Sequence, residues 1–351
     1  MKVQFINANQ AAGMIQDGSN VGLIGGGSGL VEATLLHEYI EKRFLETGTP
    51  KELTCIHALG IGDRETLGMN RFAHKGMVRR VIGGHWVWSP KMQQLARENS
   101  IEAYVLPGGV IMQLMREVAA KRPGLITHVG LGTFVDPLQE GGRMNEAAVD
   151  PLVERITIDG KDYLRYLPIP IDVALLKGSY ADEEGNISLD EEPANLDIYA
   201  MAAAAHNSGG KVIFQVRKKV AAGSIPARSV RIPSAIVDAV VVDPEQRQSY
   251  EIFYDPSISG ERRDETFKPD FPEFSLRLVI ARRAYQELRE GSVINYGFGI
   301  PDQVASIVAA EERQDSFYQT IEHGTYGGSL LSGNLFGFAK NPSCMIDGPS
   351  Q

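Results

Sequence analysis

The sequence DGSNVGLIGGGSGL, residues 17–30, contains the pattern that decides the fold. An acidic turn leads into a short apolar run, Val21–Ile24, and then into a glycine-rich corner. Apolar residues with helical spacing follow from Leu30 to Phe44. A buried strand, a glycine turn and an amphipathic helix in this order are the unit from which parallel sheets with crossover helices are built. We therefore predict an α/β fold with a mostly parallel sheet.

Short apolar runs of the same kind recur through the first 245 residues. Most are bounded by Gly, Asp or Pro, as is typical of strands that are buried on both faces. The further strand candidates are Leu53–His57, Val78–Ile82, Ala103–Leu106, Ile126–Val129, Val173–Lys177, Val212–Val216 and Ile236–Val242. A second helical pattern covers Val110 to Ala120. This alternation predicts one α/β domain over residues 1–245.

The chain becomes polar after Val242. Residues 246–272 contain a charged run, Glu261–Glu265, and several prolines, and we predict that they form an interdomain linker. A new helical pattern begins near Glu273. We predict a second domain over residues 273–351.

The second domain begins like the first. An acidic-Gly-Ser turn leads into the apolar run Val293–Tyr296, a glycine-containing corner and a helical pattern, Asp302–Glu311. This ordered match indicates two related domains, although any strand–helix unit shares part of the pattern. Only two more strand candidates follow, Phe317–Ile321 and Cys344–Ile346. We therefore expect the second domain to be incomplete in this chain, as in a truncated or cleaved protein.

Composition excludes several classes of protein. The formal charge is −9, from 35 Lys and Arg against 44 Asp and Glu, which argues against a nucleic-acid-binding surface. No apolar run reaches the ~18 residues that a membrane span needs. The two cysteines, Cys55 and Cys344, have no spacing motif and indicate a reducing compartment. We expect a cytoplasmic protein that binds neither nucleic acid nor a membrane.

The glycine corner formed by Gly25, Gly26 and Gly27 does not match a known nucleotide motif. It does not fit G-x-G-x-x-G, and the sequence contains no P-loop, H-E-x-x-H, C-x-x-C or G-x-S-x-G motif. The seven histidines have no ligand spacing, so we expect no metal site. The corner could still offer free backbone N–H groups to an anion at the start of a helix. A tight turn that only glycine fits explains it equally well.

The sequence TIEHGTYGG, residues 320–328, is the strongest candidate for chemistry. Glu322 ends an apolar strand and is followed at once by a glycine-rich loop. Ligands of doubly wound sheets bind at the carboxyl ends of strands, and a carboxylate there can act as a base or a nucleophile. The alternative is a surface glutamate at a strand exit.

Glu322 and its surroundings resemble the active-site stretch of family I coenzyme A (CoA) transferases, especially the propionate/acetate CoA-transferase group. Three other segments agree with that family. They are GGHW at residues 83–86, VGLGTFVDP at residues 129–137 and DVALLKGSYADEEGNI at residues 172–187. The similarity extends in order over essentially all 351 residues.

The resemblance implies two related α/β domains, one like each subunit of the two-subunit transferases. Single-chain members are longer, so it also implies that about the last third is missing here. Glu322 would accept CoA from a short-chain acyl-CoA and pass it to a carboxylate such as acetate or propionate. The expected steps are ping-pong, through an acyl–glutamyl anhydride and a glutamyl–CoA thioester, with CoA as a substrate and no cofactor.

Partners follow from the same resemblance. We expect acyl-CoA and carboxylate substrates, a homo-oligomer, and a second fragment if the last third is supplied separately.

One alternative function is a thioesterase in which water intercepts the glutamyl intermediate. Another is a ligand-sensing module, because related folds serve as effector domains, but no helix-turn-helix pattern is recognised at either end of the sequence.

The oxyanion donors are the point at which this sequence departs from the family pattern. Family members often carry a Gln where this chain has Gly108. Backbone N–H groups of Gly108 and Gly109, at the start of a helix, could replace it, with Gln113 as a weaker candidate. On that basis Gly108→Gln is expected to fit and to preserve transfer.

A further set of residues is expected to line the substrate or CoA site. These residues are Gly25, Gly26, Gly27, Gly324, Gly327, Gly328, Phe336, Gly337 and Asn341, with simple loop packing as the alternative for the last three.

Overall fold

The structure is a computed structural model that describes residues 2–268 and 271–348. Residues 269 and 270 of the predicted linker, Met1 of the first predicted domain and residues 349–351 of the second lie outside the described residues. The chain forms two compact units, one of residues 1–189 and 197–246 and one of residues 190–196 and 247–351.

Strands and helices alternate in the first unit. Its strands are β1 (Gln4–Phe5), β2 (Asn20–Leu23), β3 (Leu53–His57), β4 (Val78–Gly83), β5 (Glu102–Val105), β6 (Leu125–Thr127), β7 (Val153–Ile158), β8 (Lys161–Tyr166), β9 (Val173–Asp182), β10 (Ile187–Ser188), β11 (Lys211–Val220) and β12 (Ala239–Val242). Its helices are α1 (Ala8–Gly13), α2 (Thr34–Thr47), α3 (Pro90–Arg97), α4 (Gly108–Ala119) and α5 (Ile198–Asn207).

One large sheet organises this unit. Its strand order is β1-β12-β11-β9-β2-β3-β4-β5, and all of these neighbours are parallel, while short β10 pairs antiparallel with β9. The order changes direction between β9 and β2, which makes the sheet doubly wound. The prediction of an α/β fold with a mostly parallel sheet is confirmed. One strand candidate behaves differently, because β6 lies in a separate antiparallel sheet of order β6-β8-β7.

Helices pack on both faces of the large sheet, which explains the continuous apolar runs. Val21 and Leu23 of β2 belong to a buried cluster with residues of α1, α2 and α3. Gly22, between them, faces the other side, where a Cβ atom would lie 2.3 Å from the sulfur of Met201 in α5. Alternate residues of one strand therefore contact different helices, and both sets must be apolar.

Helix α2 begins later than the sequence pattern predicts. It starts at Thr34 rather than Leu30, because residues 25–31 form a loop in which Gly26 donates a backbone hydrogen bond to the Leu30 carbonyl, 2.8 Å. Ser28 and Val31 in this loop have φ angles of 62° and 54°, which no α-helix contains. The expectation of a helix over residues 30–33 is therefore wrong.

The second unit contains two α-helices and two small sheets among its described residues. Its elements are α6 (Leu276–Tyr285), β13 (Val293–Asn295), α7 (Asp302–Ala310), β14 (Tyr318–Ile321), β15 (Thr325–Tyr326), β16 (Ser329–Leu330), β17 (Ala339–Lys340) and β18 (Cys344–Met345). Strand β13 is parallel to β14, and β14, β15 and β18 continue the sheet antiparallel. Strands β16 and β17 form a hairpin of their own.

The segment predicted as a linker packs as part of the second unit over its described residues. Lys340 of β17 makes an ion pair with Asp255, 2.6 Å. The Asn341 side chain accepts a hydrogen bond from the Asp264 backbone N–H, 2.8 Å, and donates one to the Asp264 carbonyl, 3.0 Å. These contacts tie the polar segment to the β16–β17 hairpin.

In the part of the chain that is described, no helix has the length and apolar character needed to cross a membrane.

Candidate active site

Glu322 directly follows β14, at the carboxyl end of the strand. Its side chain is exposed, whereas Ile321 before it and His323 after it are buried. Gly324 lets the chain turn here, because its φ is 102° and a Cβ atom would lie 2.3 Å from the carbonyl oxygen of Ile346. Backbone bonds from Gly324 to Ile321, 3.0 Å, and from Ile346 to Gly324, 2.8 Å, close the turn. The loop thus presents the Glu322 carboxylate to solvent on a rigid support.

The protein around Glu322 destabilises the ionised carboxylate by partial desolvation, even though the side chain keeps solvent access. Desolvation raises the pKa of Glu322, and a hydrogen bond from its own backbone N–H acts in the opposite direction. Weaker hydration makes a carboxylate easier to desolvate further when a substrate arrives. This environment suits a carboxylate that must attack a carbonyl carbon.

His323 is adjacent in sequence but plays no part as an acid at neutral pH. Burial lowers its pKa to about 4, while an interaction with the Gly337 backbone acts the other way. The imidazole is therefore neutral near pH 7. Its Nε2 atom is buried and has no hydrogen-bond partner among the described residues.

The glycines after Glu322 are required by packing. Gly327 and Gly328 have φ angles of 67° and 76°. A Cβ atom at Gly327 would lie 2.3 Å from the Ser343 hydroxyl, and one at Gly328 would lie 2.3 Å from the Lys340 carbonyl oxygen. Close backbone approach is a sufficient reason for glycine at both positions, so their role in substrate binding stays a prediction.

Phe336 is the loop residue that the structure brings to the Glu322 strand. It packs in one apolar cluster with Ile321 and Ala339, and its ring meets that of Phe298 edge-to-face at 5.5 Å. The next residue, Gly337, has a φ of 103° and contacts the buried His323 ring. Asn341 differs from both, because its amide is occupied by the Asp264 backbone and serves the fold.

The glycine corner of the first unit lies at the change of direction between β2 and β9, where ligands of doubly wound sheets bind. It is not at a helix start, because α2 begins at Thr34, and the Gly26 N–H is already bonded to Leu30. The expectation of free N–H groups at a helix N-terminus is therefore wrong here. Gly27 must be glycine because a Cβ atom would lie 2.0 Å from the indole ring of Trp88. Contact of the corner with CoA stays a prediction.

Three loops converge at the carboxyl ends of β3, β4 and β5. The Gly84 N–H donates to the His57 carbonyl at 3.0 Å, and the Leu106 N–H donates to the Gly83 carbonyl at 3.2 Å. A Cβ atom on Gly84 would lie 1.8 Å from the Ala58 carbonyl oxygen. These neighbouring strand ends are therefore packed backbone against backbone.

Gly108 and Gly109 occupy the first two positions of α4, after Pro107. The two glycines differ in their surroundings. A Cβ atom at Gly108 would lie 2.8 Å from the Ala58 carbonyl oxygen, whereas one at Gly109 would meet nothing within 4 Å. The expectation that Gly108→Gln fits is therefore wrong, because the first side-chain atom already meets backbone. The backbone N–H groups of both residues stay available as predicted oxyanion donors.

We expect Gly108→Ala to lower the free energy of unfolding by about 1–3 kcal/mol, the usual cost of overpacking. Gly109→Ala is the matched control, and it should raise stability by up to about 1 kcal/mol because alanine favours the helix. Urea unfolding of both variants measures the difference. Equal stability of the two variants would show that the Ala58 backbone moves freely.

In two of the sequence segments that carry the resemblance, an aspartate holds a turn. Asp136 accepts backbone hydrogen bonds from Gly132, 2.8 Å, and Leu138, 3.0 Å, and pairs with Arg155. Asp182 binds both the backbone and the side-chain nitrogen of Asn186, at 2.9 Å each. Both aspartates therefore stabilise turns.

Among the residues that the structure describes, no group of three or more His, Cys, Asp or Glu side chains could hold a metal ion.

The first unit is an α/β domain with a doubly wound sheet, and the second carries an exposed glutamate at a strand end. The model of the coenzyme A transferase family matches residues 5–243, more than half of the chain. The chain belongs to the coenzyme A transferase family.

Individual relatives agree with this assignment. The chain is 38% identical to acetate CoA-transferase YdiF of Escherichia coli K12, over 100% of this chain and 66% of the relative. It is 40% identical to caffeate CoA-transferase of Acetobacterium woodii, over 98% of this chain and 66% of the relative. A crystal structure of the acyl-CoA transferase YdiF from E. coli O157:H7, described as a thioester complex with CoA, matches with a TM-score of 0.92 and 36% identity, over 99% of this chain and 66% of that chain. The chain thus spans about two thirds of the length of these relatives.

Proposed function

We propose that the protein transfers CoA from a short-chain acyl-CoA to an acceptor carboxylate, with Glu322 as the nucleophile. The observation that carries this proposal is the placement of Glu322. Its carboxylate is exposed at the carboxyl end of β14, its loop is fixed by Gly324, and its pKa is raised by desolvation. Membership of the coenzyme A transferase family gives this carboxylate a reaction to perform.

The chemistry proceeds through two covalent intermediates. The Glu322 carboxylate attacks the thioester carbonyl carbon, and the C–S bond breaks to give an acyl–glutamyl anhydride and CoA thiolate. The thiolate attacks the glutamyl carbonyl, which releases the carboxylic acid as its anion and leaves a glutamyl–CoA thioester. An acceptor carboxylate reverses both steps and leaves as the new acyl-CoA. The relative that was crystallised as a thioester complex with CoA supports the second intermediate.

Each attack creates a negatively charged oxygen that must be stabilised. The backbone N–H groups of Gly108 and Gly109 at the start of α4 are our candidate donors, because the first N–H groups of a helix have no partner within it. A carboxylate is a weak nucleophile, so such donors and the binding energy of the distant parts of CoA must supply much of the rate.

The remaining properties are proposed on the same basis. CoA enters as a substrate, and the reaction needs no other cofactor. Acetate and caffeate appear in the names of relatives, and short-chain acids are our proposal for this protein. We also propose a cytoplasmic homo-oligomer, with a second fragment completing the site if the last third of the relatives' length is supplied as a separate chain.

An acceptor assay separates transfer from thioester hydrolysis. The enzyme is mixed with propionyl-CoA with and without isotopically labelled acetate, and labelled acetyl-CoA and free CoA are followed. Transfer predicts labelled acetyl-CoA and little free CoA. Release of free CoA at the same rate without acetate would instead establish the thioesterase alternative.

The pH dependence follows from the state of Glu322. Only the carboxylate attacks, so the rate of adduct formation should fall as pH drops through the Glu322 pKa. Desolvation places that midpoint above the ordinary value of 4.5. Measuring the first half-reaction alone, with acyl-CoA and no acceptor acid, keeps acceptor ionisation out of the profile. A midpoint at or below 4.5 would contradict the desolvated carboxylate.

A further inference from the structure

An exposed apolar surface lies beside β5, the last strand of the large sheet in the first unit. Phe134, Met144 and Val149 line one open cavity of about 840 Å³, together with Val105 at the end of β5. Their side chains are 39%, 45% and 68% exposed, in that order for the first three. We call these four residues the β5 surface. Contiguous exposed apolar surface marks a site of contact with another molecule.

Backbone hydrogen bonds hold the β5 surface in place. Residues 142–144 lie antiparallel to β5 on its outer side. The Val105 N–H donates to the Gly142 carbonyl at 2.8 Å, and the Met144 N–H donates to the Ala103 carbonyl at 2.9 Å. At these positions the edge of the sheet is already paired. A partner must therefore bind here through side chains and not by adding a strand to the sheet.

Charged side chains of both signs line the same cavity. They are Glu140, Arg143 and Glu146. The Arg143 Nε donates to the Glu140 backbone carbonyl at 3.0 Å, but none of the three side chains makes an ion pair among the residues that the structure describes. Opposite charges that share one cavity without pairing within the chain are complementary to a second copy of the same surface.

We propose that the β5 surface is a two-fold contact between two copies of this chain, with Arg143 of each copy against the glutamates of the other. The inference rests on the homo-oligomer of the proposed function and names the surface that forms it. A two-fold contact uses the same residues on both copies, so the surface must carry both members of each charge pair. An apolar centre with a charged rim is the usual anatomy of such contacts.

Sedimentation of the purified protein over a range of concentrations tests the apolar centre. Val149→Asp places a charge there and should raise the Kd of association at least ~30-fold, the effect of losing a residue that dominates an interface. Leu45→Asp is the matched control, because Leu45 is similarly exposed, 62%, but lies on α2. It should associate like the wild type. Both positions are exposed, so thermal unfolding should stay unchanged.

Charge reversal tests the two-fold relation. Arg143→Glu leaves only negative charges in the cavity and should weaken association at least ~10-fold, because like charges then face each other. The triple variant Glu140→Arg, Arg143→Glu, Glu146→Arg reverses every charge and restores both signs. It should recover wild-type association. A triple variant that associates as weakly as Arg143→Glu would overturn the two-fold contact.

The remaining outcomes separate the surface from the wider proposal. A wild type that stays monomeric over the whole range would overturn both the contact and the homo-oligomer. A wild type that associates no better than Val149→Asp and Arg143→Glu would overturn the β5 surface alone. Sedimentation needs no substrate, so a protein that associates as expected but transfers no CoA would overturn the proposed reaction and leave the contact standing.

Discussion

Glu322→Ala is expected to lower CoA transfer by about 10⁴- to 10⁶-fold, the range found when the nucleophile of a covalent mechanism is removed. The physical reason is that no other group described here can form the anhydride and the thioester at that position. His323 is buried and neutral, and it points away from solvent. The expected change is therefore in kcat, measured with acyl-CoA and labelled acetate.

The control for this substitution is Glu273→Ala, which removes an exposed glutamate of the same unit. It should leave turnover unchanged. Glu322→Gln should be equally inactive when fresh, although slow deamidation to glutamate would restore some activity. If Glu322→Ala kept more than about a hundredth of the wild-type rate while Glu273→Ala was normal, covalent catalysis at Glu322 would be excluded, because the loss would match that of one hydrogen bond.

Gly324→Ala is expected to reduce turnover about 100-fold, the effect of displacing a reacting group by about 1 Å. The new methyl group would lie 2.3 Å from the Ile346 carbonyl oxygen, so either the Glu322 loop or strand β18 and its extension must move. The backbone conformation adds to the effect, because φ is 102° at this position. Stability should fall as well, by about 1–3 kcal/mol for the close contact alone.

The matched control is Gly291→Ala. Gly291 also has a positive φ, 76°, but a Cβ atom there would meet nothing within 4 Å. It should therefore lose only the conformational cost of about 1–2 kcal/mol and keep its turnover. Steady-state kinetics and urea unfolding of both variants give the comparison. Similar turnover in the two variants would mean that the close approach of Gly324 to Ile346 does not position Glu322.

Local patterns in the sequence were sufficient for seven strands of the large sheet, but not for its two-residue strands β1 and β10. Val21–Ile24 is apolar on both faces because helices cover both faces, and this signal is local. The run at Ile126–Val129 carries the same signal, yet β6 pairs in an antiparallel sheet with β8. The choice of partner depends on a strand some forty residues later in the chain, which a short apolar run does not specify.

The same distinction between local patterns and contacts over long sequence distances applies to the candidate site. Glu322 could be proposed from the sequence because an acidic residue between an apolar strand and a glycine loop is a local pattern. The close approach of Gly108 to Ala58 and the hydrogen bond from Gly60 to His85 join loops 50 and 25 residues apart. Such contacts exist only after β3, β4 and β5 have aligned. The sequence could therefore indicate glycine and histidine at these positions without showing what each one contacts.

Mapping of the covalent adduct tests the assignment of Glu322 most directly. The enzyme is mixed with an acyl-CoA, the glutamyl thioester is reduced with borohydride or trapped with hydroxylamine, and the modified residue is located by peptide mass spectrometry. The proposed mechanism predicts a single modification, at Glu322, that requires acyl-CoA and disappears in Glu322→Ala. A modification on any other residue, in an enzyme that transfers CoA, would contradict it.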